Sequence, residues 1–285
     1  MKIRVEVGDI ARCEDEVIVA NLFERIRRPG GATGSAFGSS SGFSEIGNRT
    51  AEPRSPEQAY ALSPFSRRVA VYRDVHILGS EYAAKRERIH ARLEDFRRVG
   101  SLPDERLFEE LCFCILAVQS KAHSADSAVH ALAEAGLLWP GRPRQLAAFL
   151  RHRTRFHNHK ASFIVRARDR FFPEDGPLLS RSLDALPDPT AARVWLVDEI
   201  DGLGWKEASH FLRNIGRGDH LAILDRHILR NLIRHGVIHG MPRSLTSKRY
   251  LAIESRMKRF ADEVKIPMAA IDLLFWSRET GEIFK

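Results

Sequence analysis

The chain has 285 residues, with 45 Lys and Arg against 37 Asp and Glu, a net charge of +8 and a pI of about 9.7. It has three cysteines, no signal peptide and no apolar run of about 18 residues, which excludes a disulfide framework and a membrane span, so we expect a soluble cytoplasmic protein. The basic excess lies almost entirely from Glu81 onward, which favours a nucleic-acid partner for that part, although ordinary solubility charge is the alternative.

Residues 1–80 are predicted to be an appendage of a few strands and a linker. Lys2–Val7 alternates like a strand and Glu16–Leu22 has the pattern of a buried strand, while Ser35–Pro64 is rich in Ser, Gly and Pro and predicts no fixed fold. Val69–Leu78 could form one more strand. Since so few strands are marginal alone, we predict no activity here, the alternative being a small partner-binding or nucleotide-binding module.

Residues 81–285 are predicted to be helical almost throughout, because their apolar side chains recur at helical spacing. The predicted helices are Glu81–Val99, Asp104–Ala117, Ser124–Glu134, Arg144–His152, Lys160–Phe172, Pro189–Ile200, Lys206–Ile215, Arg226–His235, Ser247–Val264 and Pro267–Glu279. We therefore expect a mainly α fold with two helical lobes and a cleft between them.

A glycine hairpin interrupts the helices at Asp201-Gly202-Leu203-Gly204. Glycine permits positive φ and leaves room for another backbone to come close. The free N–H groups of the next helix would lie at the hairpin and form a phosphate site that is independent of base sequence. A plain helix C-cap is the alternative interpretation.

Lys206 and Asp225 are the candidate catalytic pair, 19 residues apart and each at the start of a predicted helix. A lysine amine attacks only when neutral, and burial or a positive helix end would lower its pKa to permit this. Asp225 lies in an apolar run, where it could accept a proton from the amine or simply cap the helix. A solvated lysine or a phosphate contact is the alternative for Lys206.

The densest basic run is Arg151–Lys160, with an aromatic residue in its middle. Arg155, His157 and Lys160 could follow phosphates beside an extruded base. Its histidines might suggest a metal site, but no Cys or carboxylate joins them and the arginines would repel a cation, so we expect no metal.

Four segments resemble the type 2 branch of the 8-oxoguanine DNA N-glycosylase/DNA lyases, in the helix–hairpin–helix glycosylase superfamily. These are Gly202–Arg230, Leu111–Leu116 with Gln119–Ala122, Arg155–Ala161 and Asp272–Lys285. The loop between Lys206 and Asp225 is one residue longer than is usual in that branch. The region after Asp225 lacks the cysteines of the iron–sulfur loop of endonuclease III-like relatives.

The resemblance covers about residues 82–285 and implies a two-lobed helix–hairpin–helix domain. Lys206 would form a Schiff base at the sugar C1′, with Asp225 as its acid/base partner and nicking by β-elimination. The implied partner is double-stranded DNA containing oxidised guanine, with no cofactor. We also expect a monomer in the nucleoid-associated cytoplasm. The alternatives are a non-catalytic helix–hairpin–helix DNA-binding protein and a glycosylase for a different damaged base.

The same resemblance implies four base-binding residues. Phe156 and Trp276 would stack on the two faces of the flipped base, and Lys285 would read the purine edge through its terminal carboxylate. Gln119 would fill the gap left in the duplex. Without the resemblance, the two aromatics would be interpreted as core, Gln119 as a turn residue and Lys285 as a frayed end.

A second resemblance concerns residues 1–36 alone. With Gly8-Asp9-Ile10 and Pro29–Gly34, they resemble the opening of the macro-like N-terminal domain of leucyl aminopeptidases. The peptidase half has no counterpart in the chain, so the resemblance implies a remnant without activity.

Overall fold

The computed structural model describes residues 71–285, and within this range it contains helices and no strand. No helix in the described part is long and apolar enough to cross a membrane. The helices are α1 Val75–Val99, α2 Asp104–Ala117, α3 Ala122–Glu134, α4 Pro143–Leu150, α5 His157–Phe171, α6 Leu179–Asp184, α7 Pro189–Glu199, α8 Trp205–Asn214, α9 Arg226–Arg234, α10 Ser247–Val264 and α11 Met268–Thr280.

The buried apolar side chains form two clusters, which confirms the predicted mainly α, two-lobed architecture. The first cluster is built by α2 to α8, and the second by α1 together with α9, α10 and α11. Helix α8 contributes to both, because Phe211 belongs to the first cluster while Trp205 packs against the second. The helix that begins with Trp205 and Lys206 therefore lies where the two clusters meet.

A buried ion pair joins the clusters. Arg193 of α7 is fully buried and donates to both carboxylate oxygens of Glu254 on α10, at 2.5 and 2.9 Å. The same carboxylate accepts from the backbone N–H of Ala222 at 2.8 Å, and the guanidinium lies 4.7 Å from the ring centroid of Trp205. The ion pair therefore fixes Trp205, directly before Lys206, and Ala222, three residues before Asp225.

Several elements differ from the prediction, most of all α1, α5 and α6. The strand predicted over Val69–Leu78 is wrong for residues 75–78, which form the first turn of α1. Short apolar runs do not distinguish strand from helix by periodicity, and here Leu78 is fully buried on a helix face. Helix α5 begins at His157 rather than Lys160, and α6 was not predicted. The other elements predicted in residues 1–80 lie outside the described residues.

Candidate active site

The hairpin between α7 and α8 has the predicted glycine geometry. Gly202 has a φ of 86°, and a Cβ placed on it would lie 2.4 Å from a ring carbon of Phe163. The backbone N–H of Leu203 donates to the carbonyl of Ile200 at 3.3 Å, and Gly204 is the N-cap of α8. No other residue fits position 202 without strain or a clash. The N-terminus of α8, with its positive dipole end, begins at this turn.

Lys206 lies in the first turn of α8 with its side chain 25% exposed. Its Nζ is 3.5 Å from Oε1 of Glu207. Burial acts to lower the pKa of Lys206, but the carboxylates of Glu207 and Asp225 outweigh it and raise the pKa above its usual value. The expectation of a lowered pKa is therefore wrong. The amine is protonated near neutral pH and must lose a proton before it can attack.

Asp225 is the N-cap of α9 and accepts from the backbone N–H of Ile228 at 2.8 Å. The segment before Asp225 is held by the hydroxyl of Tyr250. That hydroxyl donates to the carbonyl of Ala222 at 2.5 Å and accepts from the N–H of Leu224 at 3.2 Å. Capping fixes the carboxylate, and Asp225 is also near enough to influence Lys206. The capping role does not exclude a chemical one.

Two further acids lie beside the pair and were not identified from the sequence as site residues. Glu207 is buried next to Lys206, and Asp272 of α11 is buried 3.4 Å from Arg213. Burial raises the pKa of Asp272 to about 6, Arg213 and Lys206 act to lower it, and Asp225 acts to raise it further. For Asp272 the available signal was an acid within an apolar run, the same feature that identified Asp225, whereas Glu207 has no signal beyond its place next to Lys206 in the sequence.

Two uncharged side chains, those of His210 and Cys114, lie near Lys206. His210, one helical turn after Lys206, is buried, and its ring meets Phe113 edge to face at 5.4 Å. Burial, with the charges of Arg213 and Lys206, lowers the pKa of His210 well below its usual value, so the imidazole is neutral. Burial raises the pKa of the Cys114 thiol, which is likewise uncharged. His210 and Cys114 thus place uncharged, buried side chains near Lys206.

The C-terminal tail is anchored to helices of the first cluster. Nζ of Lys285 lies 2.8 Å from Glu110 on α2 and 2.7 Å from Asp126 on α3. Nε of Arg92 donates to the carbonyl of Phe284 at 2.8 Å. The ammonium of Lys285 is therefore engaged by two carboxylates, which leaves the main chain of Lys285 as the part that could contact a base.

Phe156, Trp276 and Gln119, which are expected to contact DNA, lie on different elements of the structure. Phe156 is 42% exposed, has a φ of 56° and lines a small cavity with Gly202. Trp276 packs edge to face against His227, with centroids 5.3 Å apart. Gln119 follows α2 with a φ of 51°. Their roles toward an extruded base stay predictions.

The basic run divides into exposed and buried members. Arg155 is exposed and His157 is partly exposed, as a phosphate contact requires. Lys160 is 2% exposed, and burial lowers its pKa to about 7. The prediction that Lys160 contacts DNA phosphates is therefore wrong, because its ammonium points into the protein. In the described range no group of three His, Cys, Asp or Glu side chains could hold a metal ion.

Comparison with known protein families gives a match over residues 89–266, to a family described as 8-oxoguanine DNA glycosylase. An 8-oxoguanine DNA glycosylase/AP lyase of Fusobacterium nucleatum is 43% identical over 198 residues, which span 68% of this chain and 89% of the relative. One from Methanocaldococcus jannaschii is 35% identical over 198 residues, spanning 69% and 91% of the two chains.

Solved structures show the same similarity in three dimensions. The crystal structure of the 8-oxoguanine DNA glycosylase of Thermotoga maritima matches with a TM-score of 0.66 at 32% identity, covering 74% of this chain and 98% of that one. The Methanocaldococcus jannaschii 8-oxoguanine glycosylase/lyase, in complex with a 15mer DNA containing 8-oxoguanine, matches with a TM-score of 0.66 at 31% identity. That match covers 73% of this chain and all of the other.

Proposed function

The chain belongs to the helix–hairpin–helix family of 8-oxoguanine DNA glycosylases, and from that premise we propose that Lys206 and Asp225 carry its chemistry. The enzyme is a bifunctional glycosylase/AP lyase of base excision repair that acts on 8-oxoguanine in DNA. The single observation that carries the residue assignment is the pairing of a lysine at the start of α8 with the carboxylate that caps α9.

The raised pKa of Lys206 makes proton removal the first step of the proposed reaction. Asp225 accepts a proton from the ammonium, and the freed amine attacks C1′ as the bond to the base breaks. The base leaves with the bonding electron pair and takes up a proton. The nitrogen lone pair of the C1′ adduct then expels O4′, which takes up a proton, so the sugar ring opens and a Schiff base forms between Lys206 and C1′. The Schiff base allows loss of a C2′ proton and departure of the 3′ phosphate, which nicks the strand.

The other residues of the site would position the substrate. The hairpin at Gly202 and Gly204 and the exposed Arg155, together with His157, would hold the phosphate backbone. Phe156 and Trp276 would repay the cost of extruding the base by stacking, a few kcal/mol in typical cases. The anchored main chain of Lys285 would then contact the purine edge.

We further propose that the enzyme acts as a monomer on duplex DNA in the nucleoid-associated cytoplasm. Sedimentation of the enzyme with and without a lesion duplex tests this. A complex with two protein chains for each duplex would contradict it.

Borohydride trapping on a duplex with one 8-oxoguanine tests the assignment of the nucleophile. The wild type should form a covalent adduct, and Lys206→Gln should form none while retaining DNA binding. Lys248→Met, which removes an exposed charge on α10, serves as the matched control and should trap normally. Normal nicking by Lys206→Gln would remove Lys206 from the mechanism, and DNA binding without trapping by the wild type would favour a non-catalytic binding protein. A panel of other lesions measures the substrate range.

A further inference from the structure

Lys160 is a buried lysine that the proposed chemistry does not use. Its Nζ lies within hydrogen-bond distance of four oxygens, none of them a carboxylate: the carbonyls of Leu116 at 2.8 Å and Val118 at 2.6 Å, Oγ of Ser120 at 3.1 Å and Oγ1 of Thr154 at 2.7 Å. An ammonium has three N–H groups, so these oxygens occupy all of its donors. Lys160 therefore acts inside the protein.

Three of the four oxygens belong to the last turn of α2 and the turn after it, and the fourth, Oγ1 of Thr154, belongs to a second turn. One turn follows α2 and contains Gln119, and the other lies between α4 and α5 and contains Phe156. Both residues have left-handed backbone, with φ of 51° and 56°, which for residues other than glycine costs about 1–2 kcal/mol and persists only where neighbouring groups hold it. The hydroxyls of Ser120 and Thr154 also bond to each other at 2.9 Å, under the same ammonium.

We propose that Lys160 is a positioning residue that ties the Gln119 turn to the Phe156 turn, so that Gln119 fills the gap in the duplex and Phe156 stacks on the extruded base as one preformed unit. The inference rests on the proposed function, because it concerns extrusion of the damaged base. Stacking and gap filling repay the cost of extrusion only if both side chains are already in place. With the link removed, each turn would have to be ordered when DNA binds.

Lys160→Met tests the link, because it keeps the stem and removes the donors. Single-turnover release of 8-oxoguanine should fall at least about tenfold, whereas nicking at a pre-formed abasic site should change less than about twofold, since no base must be extruded there. Fluorescence of a 2-aminopurine paired with the lesion should show slower or less complete extrusion. The wild type provides the reference on both substrates.

Thr154→Val is the second variant and covers the case in which Lys160→Met does not fold. It keeps Lys160 and removes the hydroxyl through which the second turn bonds to Lys160, Ser120 and the carbonyl of Leu116, so the same split between substrates should appear. Ser162→Ala removes an exposed hydroxyl of α5 that bonds within its own helix, to the carbonyl of Asn158, and should change neither activity.

Equal losses on both substrates in the folded variants, or no loss in either of them, would overturn the positioning role while leaving the proposed function intact. Failure of the wild type to release 8-oxoguanine would instead overturn the proposed function, and this inference with it. Unchanged 2-aminopurine fluorescence alongside slow base release would also contradict the link to extrusion.

Discussion

Lys206 is held by neighbours that make it a weaker nucleophile at rest and supply the route for its activation. Burial alone would favour the neutral amine, but Glu207 and Asp225 raise its pKa. A protonated amine also attracts the DNA backbone. The carboxylates that stabilise the protonated amine of Lys206 also lie close to it. The protonation state of Lys206 and its reactivity therefore depend on the same neighbouring groups.

Glu207→Gln should shift the pH dependence of nicking at pre-formed abasic sites. A raised pKa places the rising limb of the profile at high pH, because the reactive form is the neutral amine. Removing one of the two carboxylates that raise the pKa of Lys206 lowers that pKa, so the limb should move to lower pH. Glu207→Asp keeps the charge and should move the limb less. A profile identical to wild type in both variants would show that Glu207 does not influence the nucleophile.

Asp225→Asn should separate capping from chemistry. Asn caps a helix about as well as Asp, so thermal stability should stay nearly constant, while base release should fall by orders of magnitude because the carboxylate is gone. Asp225→Ala is the matched variant: it should lose the same activity and also about 1 kcal/mol of stability with the cap. If Asp225→Asn stays active and only Asp225→Ala melts earlier, Asp225 is a cap without a chemical role.

The sequence located Lys206 and Asp225 because each has a local signature. It did not identify Glu207 and Asp272 as site residues, because their influence on the lysine depends on side-chain packing that spacing does not show. The error at Lys160 has a similar cause. Composition identifies a basic run, but whether one lysine in it turns inward depends on carbonyls located some 40 residues earlier in the chain.

At the scale of elements, every helix in the described part of the chain except α6 was predicted, although α1 begins at Val75, before the predicted start at Glu81. Helix α6, Leu179–Asp184, has six residues and too few turns to show a period. The hairpin was predictable because glycine is nearly obligatory there, although the clash that enforces it, with Phe163 of α5, comes from a residue about 40 positions earlier in the sequence.

Gly202→Ala should damage the hairpin more than the fold. The added methyl group would meet Phe163 and sit on a backbone with φ of 86°, which together cost about 1–3 kcal/mol. DNA affinity should fall for lesion and undamaged duplexes alike, because the hairpin contacts phosphates rather than bases. The matched control is Gly240→Ala, where an added Cβ meets nothing within 4 Å. Unchanged affinity with lowered stability would leave the hairpin a structural turn only.

At the scale of the whole molecule, α1 packs with α9, α10 and α11 in the second cluster. Leu78 of α1 is fully buried in the second cluster, Tyr72 packs edge to face on Phe260 at 4.8 Å, and Arg73 donates its backbone N–H to the carbonyl of His235 at 3.1 Å. The predicted boundary near Ser80 would remove all of these contacts.

A truncation that begins at Tyr72 should therefore fold and retain glycosylase activity, since every proposed site residue lies beyond it. One that begins at Ser80 should be less stable, because loss of the buried Leu78 side chain alone costs about 1.5–3 kcal/mol. Thermal melting and excision assays on the two proteins compare them. A folded but inactive Tyr72 truncation would show that residues 1–71 take part in catalysis.

The tail couples the two core clusters at the active site, since it leaves α11 of the second cluster and ends in ion pairs with α2 and α3 of the first. Lys285→Met keeps an unbranched side chain but removes both ion pairs and the ammonium that lies 4.6 Å from the ring centroid of Phe113, so the tail should lose its fixed position. Release of oxidised guanine should drop about tenfold, corresponding to about 1.4 kcal/mol of lost transition-state stabilisation, while nicking at a pre-formed abasic site should be nearly unchanged. Trp276→Ala should give the same split through loss of stacking, and Lys248→Met should give none. Equal losses on both substrates would indicate weakened DNA binding or misfolding, and the tail would then have no part in recognising the base.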